Sequence, residues 1–166
     1  MTMPSDAFVT GKTSLLGLAG FILLCLGVSW VAGWATSTGV ATWYPTLTKP
    51  WFTPPDGVFA PVWLTLYLMM AVAGWRVWRK AGFVGARTAL SLFGLQLGLN
   101  LLWSVLFFGQ RQIGAALADI VLLWLAIAAT ALAFRRIDGF AAVLLLPYLA
   151  WVTLAVALNY EIWRLN

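Results

Sequence analysis

No charged residue occurs between Lys12 and Lys49, between Asp56 and Arg76, between Arg87 and Arg111, or between Asp138 and Glu161. From Ile113 to Phe134 the only charge is Asp119. A helix crossing a bilayer needs about 20 predominantly apolar residues, and each of these stretches supplies them. The pattern predicts an all-α membrane protein, one domain over residues 1–166, built as a five transmembrane helix bundle. The spans are placed at about 14–36, 59–79, 88–108, 113–134 and 140–163. Composition agrees: the chain is 63% hydrophobic and only 9% charged, against about one-quarter charged in soluble domains. So few polar side chains cannot coat a water-facing surface. The first ten residues lack a basic start, and the run from Leu15 is too long for a cleavable signal core, so the first span is expected to be retained.

The net charge of +5 would suggest nucleic acid in a soluble protein. Here the cations sit in short clusters between apolar runs, which points to membrane lipid and topology instead. With five spans, Lys12, Arg76, Arg79, Lys80, Arg87, Arg135 and Arg136 share one side, against Lys49, Arg111 and Arg164 on the other. In a bacterial cell membrane, seven against three predicts a cytoplasmic N-terminus.

The connection over 37–58 is the long one. Pro45, Pro50, Pro54 and Pro55 forbid a continuous helix there. With Trp43, Tyr44, Trp51 and Phe52 it reads either as a lid over one end of the bundle or as an interfacial anchor that binds nothing.

Absences narrow the chemistry. The chain has no histidine and one cysteine, Cys25, inside an apolar run. Cys25 reads as a packing residue. No cluster has metal-ligand spacing, no Gly-rich loop suits a phosphate, and no nucleophile stands with a base. Of the five acids only Asp119 falls within a span, where it needs a partner or water. An ion pair or hydrogen bond to a neighbouring helix end is the expected solution.

Polar and aromatic residues recur at helical spacing: Trp63, Tyr67, Met70 and Gly74; Gln96, Asn100, Trp103 and Phe107; Tyr148, Trp151, Ala155 and Asn159. Residues three and four apart share a helix face. Amides in hydrocarbon need partners, so Gln96, Asn100 and Asn159 are expected to face inward. An inward surface of rings and amides suits a flat apolar ligand, but the same stripe serves as interhelical glue in ordinary bundles. Gly94 and Gly98 form a GxxxG pair that suits either a homodimer seam or close packing within the chain. Leu158, Tyr160 and Arg164 fit a weak sterol-contact pattern.

Taken together, certain residues are more specific. Trp43-Tyr44, Leu47, Lys49-Pro50, Pro54-Pro55, Pro61-Val62-Trp63, Leu66-Tyr67 and Met70 are followed by Gln96-Leu97, Leu99-Asn100, Trp103 and Phe107-Phe108-Gly109. Pro147-Tyr148-Leu149, Trp151, Leu158-Asn159 and Trp163-Arg164 complete the series. In this order they resemble the translocator protein (TspO/MBR, tryptophan-rich sensory protein) family over nearly all of the chain after residue 40. The resemblance implies a five-helix membrane protein, usually a homodimer. It implies a cavity beneath the first loop that binds porphyrins such as protoporphyrin IX and haem, and in some members sterol and synthetic isoquinoline or benzodiazepine ligands. Carried over by motif, the pocket residues are Tyr44, Trp63, Asn100, Trp103, Tyr148, Trp151, Ala155 and Asn159. The lid is Trp43, Lys49, Pro50, Trp51, Phe52, Pro54 and Pro55. The resemblance implies a receptor or sensor, with light- and oxygen-dependent porphyrin breakdown at Trp63 and Trp151, or transport, as alternatives. This chain departs from the family in having Phe52 where many members have Trp, and Val40, Ala41 and Thr42 where animal members carry charges.

Overall fold

A computed structural model describes residues 11–166, with side chains from Thr13 onward. The first ten residues, on which the absence of a signal peptide was argued, and the Lys12 side chain lie outside the described part. Six α-helices follow one another: α1 (Gly11–Val40), α2 (Asp56–Gly85), α3 (Arg87–Ser104), α4 (Ile113–Arg135), α5 (Gly139–Leu144) and α6 (Leu146–Leu165). α5 and α6 form one span with a break at Leu145, so the bundle has five helices long and apolar enough to cross a membrane. Among the described residues there is no strand.

All five predicted spans are present, most of them longer than the charge gaps alone required. α1 runs to Val40 and α2 begins at Asp56, so the loop expected over 37–58 shrinks to 41–55. The charge pattern could not detect this, because both extensions are made of uncharged or end-of-gap residues. At the far end of α2, Gly82 adopts φ 63°. That left-handed conformation favours glycine and breaks the helix just beyond the boundary the charges suggested. Pro147 sits in the first turn of α6, where a missing N–H is harmless.

α3 packs along α4, α1 along α2, and α4 along α6. The core gathers Cys25, Met70, Phe93, Ile127, Phe134, Tyr148 and Val152 from all five spans. Leu23, Trp30, Trp34, Leu122, Leu132 and Val143 point outward. In water that outer surface would be unfavourable; in a bilayer it is the required one. Gly94 and Gly98 lie on an open face as well: a Cβ at either would meet nothing within 4 Å. They do not mediate close packing within the chain.

One charged knot ties the bundle at the end opposite the lid. Asp138 caps α5 by accepting from the N–H groups of Phe140 and Ala141 at 3.0 and 3.2 Å. Its carboxylate also takes Arg76 and Lys80, each at 3.0 Å. Burial raises the Asp138 pKa. The hydrogen bonds from Lys80 and the Ala141 N–H, with the charges of Arg76 and Lys80, outweigh burial and hold the carboxyl below its ordinary value.

Candidate ligand cavity

The lid end is built from three aromatic-bearing segments. After α1 stops, a short 3₁₀ turn over Tyr44–Thr46 carries Tyr44 inward. At the end of α3 the helix widens into a π turn over Val105–Gly109, and Arg111 beyond it takes φ 58°. Such a turn inserts one residue and re-aims the side chains around it. Phe107 thereby stacks on Trp103 at 5.3 Å between centroids and meets Trp43 edge-on at 5.5 Å. Gly39 lets α1 approach this turn, since a Cβ there would stand 2.6 Å from the Phe108 carbonyl oxygen. The loop is closed from α6 by Asn166. Its Oδ1 accepts from the Thr48 N–H at 3.0 Å, and its Nδ2 donates to the Thr48 carbonyl at 3.1 Å.

Beneath this loop lies a cavity of about 400 Å³, within the range of small-molecule sites. Seven of the eight residues expected to form a pocket line it: Tyr44, Trp63, Asn100, Trp103, Trp151, Ala155 and Asn159. The eighth, Tyr148, is fully buried one layer back. There it holds the wall, because Asn100 Nδ2 donates to its hydroxyl at 2.8 Å while the Tyr67 hydroxyl donates to Asn100 Oδ1 at 2.6 Å. Trp103 Nε1 donates to Asn159 Oδ1 at 3.0 Å, and Asn159 Nδ2 donates to the Ile113 carbonyl at 3.0 Å. The amides therefore do face inward. Gln96 Nε2 donates to the Met70 sulfur at 3.7 Å and its Oε1 has no hydrogen-bond partner among the described residues, while Asn100 and Asn159 bond to rings and backbone and not to one another. Each bond fixes an aromatic wall at a set angle, which preorganises the surface a flat ligand would meet.

Trp63 stands 6.1 Å from Tyr148 and Trp151 5.7 Å from Phe59, centroid to centroid. Trp151 and Leu154 also face a shallow outer groove lined by Pro61, Met69 and Pro147. The expected lid residues sit above the cavity and do not line it. Trp43 leans on Phe107, the Lys49 ammonium lies 4.3 Å over the Tyr44 ring, and Trp51 points away with its edge near Phe52. Pro50 accepts from Thr53, while Pro54 and Pro55 lead into α2, Pro55 accepting from the Val58 N–H. Burial, then the nearby Asp56 carboxylate, raise the Tyr44 phenol pKa.

One expectation is corrected here. Asp119 is buried, yet its Oδ2 has no hydrogen-bond partner and no cation pairs with it among the described residues. Helix ends bring their cations to the rims of the bundle, too far from a residue two turns inside α4. In the sterol-like stretch, Leu158 lines the cavity, while Tyr160 and Arg164 point outward, Arg164 paired with Glu161 at 2.7 Å. Residues two apart on a helix cannot share a face.

The sequence reading missed the contribution of α1. Ser29, Gly33, Thr36 and Val40 line the cavity at steps of four, three and four, a stripe of small residues visible to the same spacing rule. It also missed Asp56, which lines the cavity from the first turn of α2. Among the described residues no group of three or more His, Cys, Asp or Glu could hold a metal ion. The cavity offers rings, amides and hydroxyls, which suit recognition of an apolar ligand by stacking and edge contacts.

The comparisons with known proteins agree with this geometry. The TspO/MBR family matches residues 21–164. The chain is 44% identical over 156 residues to the tryptophan-rich protein TspO of Chlorobaculum tepidum, covering 92% of this chain and 97% of that one. It is 44% identical over 124 residues to the tryptophan-rich sensory protein of Cereibacter sphaeroides, covering 75% of this chain and 77% of the relative. It is 45% identical over 126 residues to the translocator protein of Sus scrofa, covering 75% of each. An all-helical five-span bundle, a tryptophan-walled cavity and a match over nearly the whole length place this chain in the TspO/MBR family.

Proposed function

We propose that this protein is a membrane receptor or sensor that binds porphyrins and related flat apolar ligands inside the bundle. The observation that carries this reading is the cavity wall: Trp63, Trp103 and Trp151 from three different helices enclose one space, with Asn100 and Asn159 anchoring the walls. Aromatic faces bind a planar macrocycle by dispersion and offset stacking, which needs no metal. The chain has no histidine, the commonest axial ligand of haem iron. Ring and edge recognition therefore predicts that metal-free protoporphyrin IX and haem bind within roughly tenfold of each other, about 1.4 kcal/mol. Trp151→Leu should weaken both alike, by roughly 2 kcal/mol or about thirtyfold. Quenching titrations of both porphyrins in neutral detergent test this. Haem binding far more tightly, with a spectrum of strong axial ligation, would falsify it.

The placement of Trp63 and Trp151 on one cavity supports a second reading, light- and oxygen-dependent breakdown of the bound porphyrin. Illumination of the complex separates the two readings. If Trp151→Leu binds normally but no longer bleaches its ligand, the indole acts chemically. The outward face carrying Gly94 and Gly98 supports assembly as a homodimer. In a bacterial cell membrane, the cation count supports an orientation with the lid outside.

A further inference from the structure

Among the described residues the cavity is lined by one charged side chain, and it is an acid. Among the described residues Asp56 is the lining residue that carries a formal charge, and no cation pairs with it. It is solvent-exposed at the first position of α2, where the helix dipole favours negative charge. The other charged residues at this end do not line the cavity. The Lys49 ammonium lies 4.3 Å over the Tyr44 ring, and Lys49 is not a lining residue. Arg164 is paired with Glu161, and Arg111 lies beyond the π turn without lining the cavity. Asp56 and Tyr44 line the same cavity, and after burial the Asp56 carboxylate is the second cause that raises the Tyr44 phenol pKa.

We propose that Asp56 is a charge filter at the mouth of the cavity, favouring flat apolar ligands with neutral or cationic edges over ligands with carboxylate edges. The inference rests on the macrocycle-binding reading above and names the edge chemistry that reading leaves open. A porphyrin leaves its charged edge at the mouth, because the amides and the Ser104 hydroxyl deeper in the cavity are already bonded to protein partners and no cation lines it among the described residues. Two free propionates would then stand near an unpaired carboxylate, and like charges at such range repel even when partly solvated. Masked as esters, the same propionates meet no repulsion. Selectivity here comes from the repulsive element, with the stacking surface common to both ligands.

The test compares protoporphyrin IX with its neutral dimethyl ester, titrated against the full chain in neutral detergent at low ionic strength. The readout is the ratio of diacid to ester affinity, which cancels changes in stacking or folding. Expected is a ratio that favours the ester in the wild type, rises about fivefold to tenfold in Asp56→Asn, and rises further in Asp56→Lys. Added salt should narrow the wild-type gap and leave that of Asp56→Asn nearly unchanged. A ratio that stays constant across the three proteins overturns the filter while leaving the macrocycle reading intact. If neither porphyrin binds the wild type, the macrocycle reading itself fails and the filter falls with it.

Discussion

Asn100 holds two tyrosine hydroxyls at once, accepting from Tyr67 and donating to Tyr148. All three are buried, and a buried polar group left without its partner is costly. Asn100→Leu is therefore expected to destabilise the protein by about 1–2 kcal/mol, since it orphans both hydroxyls. Thermal unfolding in detergent measures it. Asn100→Leu with Tyr67→Phe and Tyr148→Phe together should recover part of the loss, because no buried polar group is then left unpaired. Asp138 makes a different prediction, set by pH. Its folded pKa lies below the unfolded carboxyl value, which is about 3.9. Its contribution to stability is thus fully present above about pH 4 and fades as pH falls through the folded value. The unfolding midpoint should drop in that acid window, and Asp138→Asn should be less stable at neutral pH and lack that component of the drop. A variant that matches the wild type at every pH would remove the Arg76–Asp138–Lys80 knot from the account.

Elements are held together at the lid end by a few close approaches. Gly39 admits the Phe108 carbonyl oxygen where a Cβ would stand 2.6 Å away, and backbone cannot yield as a side-chain tip can. Gly39→Ala should push α1 from the π turn and disturb the α1 wall at Thr36 and Val40. Ligand affinity should fall at least severalfold, as read by the same porphyrin titrations, and stability should fall with it. α3 presents the opposite situation on its outer face. A Cβ at Gly94 or Gly98 would meet nothing within 4 Å among the described residues, so enlarging them should leave the fold intact. If that face is a dimer seam, Gly98→Leu yields folded monomers by light scattering. A fully dimeric variant would take α3 out of the interface.

At the scale of the whole molecule, the charges divide between two ends. Arg76, Lys80 and Asp138 meet at the end opposite the lid, while Lys49 and the Asn166 clamp belong to the lid end. Reporter fusions in a bacterial inner membrane should place the C-terminus outside, on the side with fewer cations. A cytoplasmic C-terminus would invert the molecule, and the cavity mouth with it.

The number of spans, their order and the membrane environment were fixed by spacing of charges along the chain, because charges are costly in hydrocarbon and therefore cluster between the spans, Asp119 excepted. The inward faces were legible as well, since the amides Gln96, Asn100 and Asn159 and the rings between them recur at helical spacing, and all three amides are buried. Which partner each amide takes was not legible. Asn100 meets tyrosines of α2 and α6, and Asn159 meets Trp103 and the Ile113 carbonyl, because partner choice depends on the rotation and register of helices far apart in sequence. The same holds for Tyr148, which periodicity grouped with Trp151 and which packing set one layer behind the wall. Asp119 and Asp56 show the limit most plainly. Sequence marks both as acids near or within spans. Only the packed bundle leaves Asp119 Oδ2 without a partner and brings Asp56 to the cavity mouth, since a charge takes its role from what surrounds it in space.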